Sequence, residues 1–247
     1  MKLCILLPTY NNQATVAQMV DILKKYGYPI VIVNDGSDAD TAAVLSRIEQ
    51  PGVVTVCHRK KNGGKGRAVM DGLRHAHAHG FTHVLQLDAD NQHCIEDIPR
   101  FVAAADESPG ALILGEPIFP ENVPRARLNG RKISIVWVWI ETLSTKIHDP
   151  LFGFRLYPVD AALAASRSPF MGYRMDFDPE IAVRLVWRGV DVINVKTPVT
   201  YHAQGVSHFH YFYDNVRISW MHTRLFLGML VRSWKLIGRL ILGQIFR

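Results

Sequence analysis

Residues 3–38 read LCILLPTYNNQATVAQMVDILKKYGYPIVIVNDGSD. Leu3 to Leu7 is a strand-length apolar run that ends at Pro8. Thr15 to Tyr26 then carries Val16, Met19, Val20 and Leu23 near helical period and stops at Gly27, and Ile30 to Val33 returns as a second β-branched run. Two strands apolar on both faces, joined by a helix, make a βαβ unit of a parallel sheet. The alternation continues outward. Val53 to Val56, Val84 to Leu87, Ala111 to Gly115 and Val190 to Val195 read as strands. Gly66 to His79, closed by Gly80, and Ile181 to Trp187, closed by Gly189, read as helices. With no internal repeat or low-complexity linker, residues 1–210 are expected to form one α/β domain built on a mainly parallel sheet.

Length and composition agree. The 247 residues are 48% hydrophobic and 20% charged, which suits one sizeable domain with a terminal appendage and excludes a disordered tail, a collagen-like repeat and a disulfide miniprotein. Cys4, Cys57 and Cys94 are odd in number and lack CxxC spacing, so neither a disulfide framework nor a structural zinc site is indicated. MKLCILLPTY has no signal-peptide pattern, and a cytoplasmic location is expected.

A net charge of +6 points to anionic partners, and its placement chooses among them. Residues 211–247 hold little acid and much Trp, Leu, Ile and Phe, with Arg217, Arg224, Arg232, Lys235 and Arg239 falling along one helical stripe. Cations interrupt every window long enough to span a bilayer, so the segment reads as amphipathic helices lying on an anionic membrane surface, Lys and Arg toward the lipid. A helical pair docked on the domain, or one that pairs subunits of a homo-oligomer, fits the same pattern. Because the stripe is interleaved with Leu and Ile rather than stacking aromatics, no nucleic-acid partner is expected.

The chemistry concentrates at strand exits, where open parallel sheets bind ligands. Leu87-Asp88-Ala89-Asp90-Asn91-Gln92-His93 presents two carboxylates that can hold one hard divalent cation, Mg²⁺ or Mn²⁺, although a solvated turn fits the residues alone. In Val33-Asn34-Asp35-Gly36-Ser37-Asp38, Asp35 can accept from a nucleobase or ribose, or the turn can simply cap the next helix. Asn62-Gly63-Gly64-Lys65-Gly66-Arg67 is a flexible turn leading into a helix whose start favours an anion, with Lys65 adding charge. Asp149 in DPLFGFR is a candidate base or orienting anion. Arg155 can pair a phosphate or a neighbouring carboxylate. Asp176, Asp178 and Glu180 open the next helix, and Asp178 before Pro179 suits its N-cap. Arg125, Arg127, Arg131 and Lys132 precede a Trp-rich helix that can take a lipid phosphate at its basic end or form an ordinary solvated face.

PTYNN, NDGS, NGGKGRAV, LDADNQH, DPLFGFR and GVSHF occur in this order, over roughly residues 3–210, as in family 2 glycosyltransferases of GT-A fold. The set most resembles the dolichyl- and polyprenyl-phosphate sugar synthase branch. The resemblance implies an inverting transfer from a UDP- or GDP-sugar to a lipid-linked, polyprenyl-phosphate-like acceptor at the cytoplasmic membrane face. It places Pro8, Tyr10, Asn12, Asp35, Lys65 and Asp88 at the donor and Asp88, Asp90 and Gln92 on the metal. It further implies Asp149 and Asp176 at the reacting centre, and Arg131, Arg155, Ser207 and His208 at phosphate or acceptor. Relatives usually carry Glu where this chain has Asn12, so an amide replaces a carboxylate toward the ribose. His202 lies near the last motif, but a nitrogen ligand suits Mg²⁺ poorly. A non-polyprenyl glycolipid or polysaccharide-precursor acceptor is the first alternative. A sugar nucleotidyltransferase is the second, disfavoured because no glycine-rich GxGTR-like loop opens the chain.

Overall fold

A computed structural model describes residues 1–121, 123, 125–200 and 211–245. Seven strands, β1 (Leu3–Thr9), β2 (Ile30–Asn34), β3 (Val54–His58), β4 (His83–Gln86), β5 (Leu112–Ile118), β6 (Arg155–Pro158) and β7 (Val192–Pro198), form one sheet in the order β3-β2-β1-β4-β6-β5-β7. Only β6 runs antiparallel, wedged between β4 and β5. The fold is therefore an α/β domain of GT-A type, as its sequence pattern indicates. β6 is the strand that pattern omits, because RLYP is four residues long and begins with a cation.

Alternate strand residues face opposite layers. Leu3, Ile5 and Leu7 join a core with α1 (Gln13–Leu23), α2 (Ala39–Ile48) and α4 (Ile98–Glu107). Cys4, Leu6, Val31 and Val33 join another with α3 (Lys65–Ala78), α6 (Val159–Ala165) and α7 (Phe177–Trp187). Residues 24–26 tighten into a 3-10 turn before Gly27, in the left-handed conformation, ends the first crossover. α3 crosses β1 so closely that a Cβ on Gly72 would fall within the Leu6 side chain.

The C-terminal segment is one continuous helix, α8 (Tyr211–Ile245), rather than several. Met221, Leu225, Met229 and Leu236 bury its inner face against α7 and α5 (Arg125–Thr142). A buried His222–Glu141 pair at 2.7 Å adds a polar anchor, and burial raises the Glu141 pKa. Of the basic stripe, Arg224 turns inward, whereas Arg232 and Arg239 touch α7 and stay exposed. Arg224 bonds the Phe170 carbonyl and approaches Glu180 at 3.2 Å, and Arg232 stacks 4.7 Å from the Trp187 ring centroid. Arg239 donates to the Trp187 carbonyl at 2.9 Å, the negative end of α7. Val216, Trp220, Leu227, Leu230, Val231 and Trp234 are exposed as well, beside the exposed Arg217, Arg232, Lys235 and Arg239. Ile133, Val136, Trp137 and Ile140 of α5 are exposed too, and Trp137 meets Phe226 of α8 edge to face. No helix among the described residues is long and apolar enough to cross a membrane.

Two glycines separate packing from backbone effects. Gly72→Val should destabilise the domain by about 2 kcal/mol through overpacking. Gly238→Ala, where a Cβ meets nothing within 4 Å, should stabilise α8 by up to about 1 kcal/mol. Thermal or urea denaturation of the two variants checks both signs.

Candidate active site

The carboxyl ends of β1, β2 and β4 converge on one edge of the sheet. β4 exits into Asp88, Ala89 and Asp90. The Thr15 hydroxyl of α1 holds the Ala89 carbonyl at 2.6 Å, and the Asp90 carboxylate accepts the Gln92 N–H at 3.1 Å. Asp88 packs directly on Gly153, where a Cβ would overlap its carboxylate, and Gln86 fixes that glycine by donating to its carbonyl at 3.1 Å. Lys65, at the first position of α3, places its ammonium 2.7 Å from both Asp88 and Asp178.

These contacts set the charge states. Burial pulls the Lys65 pKa down, but Asp178 and Asp88 outweigh it, and the net shift is upward. Burial raises Asp88, yet Lys65 brings its carboxyl below the usual range. Asp90, buried and facing the Asp88 charge, is held above it. His93 is buried against Phe152 and Phe154, and burial lowers its pKa despite both aspartates. Its Nδ1 accepts the Asp88 N–H at 3.4 Å, so the neutral ring backs the carboxylate turn.

The donor set fits a hard cation: Asp88, Asp90 and Gln92 offer oxygen at alternate positions of one turn. Among the described residues no cluster of three or more His, Cys, Asp and Glu gathers as a metal site. Two carboxylates and an amide leave further coordination positions for ligand oxygens.

Asp35 is 2% exposed and shapes the neighbouring loop instead of presenting a carboxylate to solvent. It accepts the Gly63 and Gly64 amides at 3.0 and 2.7 Å and pairs with Arg59, which also reaches Asp71 at 2.8 Å. Gly64 has φ +95, and a Cβ there would lie 2.5 Å from the Tyr173 carbonyl, so only glycine suits this turn. Pro8 and Tyr10 are half-buried at the β1 exit. Asn12 begins α1 and accepts the Tyr10 N–H at 3.3 Å.

On the opposite wall, Asp149 and Arg131, assigned separate roles by sequence, form one buried ion pair at 2.5 Å. Asp149 also accepts the Leu151 N–H at 2.9 Å. Asp176 precedes α7, accepts the Arg174 N–H at 2.9 Å and nests against Gly172. Arg155 is corrected: with 0% exposure it cannot reach a phosphate, and its guanidinium donates to the Phe152, Asp178 and Pro150 carbonyls at 2.7, 2.6 and 2.5 Å. Glu180 is likewise internal, held by the Gly172 N–H and Arg184. Asp178 is not the N-cap of α7 but the partner of Lys65. His202, Ser207 and His208 lie outside the described residues. Thr200 ahead of them bonds the Gln92 carbonyl at 3.0 Å. Arg59 and His93 are site residues that sequence reasoning missed.

Gly153→Ala tests the Asp88 cradle. It should weaken Mn²⁺-dependent binding of a nucleoside diphosphate by at least about tenfold, the usual cost of disturbing a ligand's supporting shell. Thermal-shift titration reads the loss, and an unchanged circular dichroism spectrum shows that the fold persists.

Comparison with known proteins supplies the relatives. Across 82% of its length this chain is 26% identical to polyprenol monophosphomannose synthase of Mycolicibacterium smegmatis, covering 79% of that protein. It is 35% identical over 43% of its length to undecaprenyl-phosphate 4-deoxy-4-formamido-L-arabinose transferase of Enterobacter sp., but spans only 34% of that protein. Among solved structures it superposes on glucosyl-3-phosphoglycerate synthase from Mycobacterium tuberculosis, crystallised with Mn²⁺, uridine diphosphate and phosphoglyceric acid, at TM-score 0.66 and 14% identity. That alignment covers 92% of this chain and 78% of the other. Residues 4–168 match glycosyl transferase family 2, and the chain belongs to that family.

Proposed function

We propose that the protein transfers a sugar, with inversion, from a UDP- or GDP-sugar to the phosphate of a polyprenyl-phosphate acceptor at a membrane surface. The observation that carries this reading is the Asp88–Asp90 turn at the β4 exit, cradled by Gly153 and backed by Lys65. The name of the mycobacterial relative, a polyprenol monophosphomannose synthase, supports the acceptor class. The Mn²⁺ and uridine diphosphate bound in the structural neighbour, glucosyl-3-phosphoglycerate synthase, support a nucleotide-sugar donor and a divalent metal.

In this mechanism Asp88, Asp90 and Gln92 hold a divalent cation, which when bound offsets charge on the leaving diphosphate. An acceptor phosphate oxygen attacks the anomeric carbon from the face opposite the diphosphate. The new C–O bond forms as the old one breaks, and the nucleoside diphosphate leaves with the bonding pair. A phosphate acceptor is already ionised, so the neighbouring carboxylate orients more than it deprotonates. Asp149 is locked by Arg131, whereas Asp176 lines an open cleft, which favours Asp176 for that role. Lys65, kept charged by its two aspartates, adds a fixed cation beside the Asp88 turn. The exposed apolar faces of α5 and α8 provide the membrane contact.

Asp90→Ala should lower kcat/KM by at least about a hundredfold, in the range seen when one transition-state charge stabiliser is removed. The check is release of nucleoside diphosphate from UDP- or GDP-mannose with a prenyl phosphate and Mn²⁺; pyrophosphate release instead would mark a nucleotidyltransferase.

Vesicle binding separates two kinds of membrane contact. Because Leu227, Val231 and Trp234 give α8 an exposed apolar surface, association should survive molar salt, where charges are screened within about 3 Å. It should fall in Leu227→Ser/Val231→Ser/Trp234→Ser, as read by cosedimentation with neutral and anionic vesicles.

A further inference from the structure

Two of the four residues that sequence assigns to the phosphate or acceptor are engaged in the fold: Arg155 is buried and Arg131 pairs with Asp149. A different basic site lies around Asp176. A cleft of about 400 Å³ opens between the Gly63 turn, residues 169–174 and the first turns of α8, and Asp176, Arg67, Arg174, Arg217 and Arg224 line it together with Phe170 and Trp220. The Arg67 guanidinium sits over the Tyr173 ring, 3.9 Å from its centroid, a cation–π contact that leaves its N–H donors for a ligand. Arg174 is exposed, and no carboxylate among the described residues pairs with Arg67 or Arg174. Arg217 is only loosely held, 3.6 Å from Asp214, and Arg224 closes the floor on Glu180.

The cleft therefore gathers more cationic than anionic charge around a concave space, beside one candidate carboxylate. Its walls are asymmetric. Gly63, whose amide is bound by Asp35, stands on the donor side. Trp220 and Phe170, 61% and 69% exposed, stand on the outer side, where Trp220 begins the apolar face of α8. An ionised phosphate monoester satisfies the guanidinium edges, and an attached apolar chain finds Trp220 at the rim.

We propose that this cleft binds the phosphate group of the acceptor, with Arg174, Arg217 and Arg67 as its ligands and Trp220 contacting what the phosphate is esterified to. The assignment rests on the transferase reading above and relocates the acceptor phosphate from the Arg131 end of α5 to the α7–α8 side of Asp176.

The test uses the full chain with three probes: farnesyl phosphate in detergent, glycerol phosphate and inorganic phosphate. Each is titrated by tryptophan fluorescence and by thermal shift, with UDP and GDP plus Mn²⁺ as donor controls. Arg174→Gln/Arg217→Gln should weaken farnesyl phosphate binding at least tenfold while nucleoside diphosphate affinity stays the same. Trp220→Ala should weaken farnesyl phosphate alone if the source is a lipid. Equal binding of glycerol phosphate and farnesyl phosphate, unaffected by Trp220→Ala, would keep the phosphate site and assign it to a soluble monoester. Unchanged farnesyl phosphate affinity in the double arginine variant, or no phosphate binding by the wild type, would overturn the site. If neither nucleoside diphosphate binds the wild type, it is the transferase reading that fails.

Discussion

A guanidinium withdrawn entirely from water organises the carboxyl side of the sheet. Arg155 opens the one antiparallel strand and directs its donors at three main-chain carbonyls, those of Pro150 and Phe152 in the preceding loop and Asp178 in the first turn of α7. A buried cation needs its donors satisfied, and three carbonyl oxygens accept from it while the buried Asp178 carboxylate, 3.8 Å away, balances its charge. The consequence is geometric. The loop is drawn over the strand ends, which sets Gly153 against Asp88. α7 is drawn in by its N-terminal end, which sets the Asp178 carboxylate 2.7 Å from Lys65. Lys65 in turn reaches Asp88 at the same distance. The chain of contacts Arg155, Asp178, Lys65, Asp88 thus links scaffold and candidate site, and Asp88 takes its position in part from a residue buried well away from the surface.

Much of the architecture was legible because parallel strands are buried on both faces. Runs such as CILL and VIVN have no other stable home, and Gly27, Gly80 and Gly189 stop the helices where the pattern does. Several of the motifs also fall together at one edge of the sheet, the carboxyl ends of β1, β2 and β4. What could not be read was partnership across the chain. Nothing in DPLFGFR distinguishes an arginine bound for a phosphate from one bound for carbonyls; only the antiparallel direction of β6, which turns that side chain into the domain, decides it. Asp35 likewise reads as an exposed acceptor until the glycine turn, some thirty residues later, is folded onto it. Gly153 and Gly172 were visible as glycines, but that each makes room for a particular carboxylate depends on contacts distant in sequence or on loop shape.

The cations of α8 show how periodicity can be right about a stripe and silent about its direction. A helix with one basic edge and two apolar faces can be turned either way on paper. The choice is made by what the domain offers: the carbonyl end of α7 for Arg239, the Trp187 ring for Arg232 and buried Glu180 for Arg224. A Cβ on Gly228 would lie 2.7 Å from Trp187, so this glycine lets the helix approach closely enough for those contacts. These contacts, with Met221, Leu225 and Met229 buried on the inner face, fix the helix in rotation, and that rotation leaves Leu227, Val231 and Trp234 facing out.

The same rotation couples the outer surface to the site. Contiguous apolar patches of this kind are uncommon on monomeric soluble proteins and mark a surface that meets something apolar. On α8 the patch runs toward Trp220, and within one turn Arg217 and Arg224 point into the cleft beside Asp176. A single helix therefore carries both the face that can meet a lipid and the cations that can receive its phosphate. Their separation is set by helical rise, about 1.5 Å per residue, rather than by a flexible linker. An acceptor anchored in the plane below such a face would meet the arginines without leaving the surface, whereas a tethered domain would have to find it by diffusion. Docking α8 rigidly is the physical requirement for that arrangement, and the Arg224–Glu180 pair, the His222–Glu141 pair and the buried Met221, Leu225 and Met229 meet it.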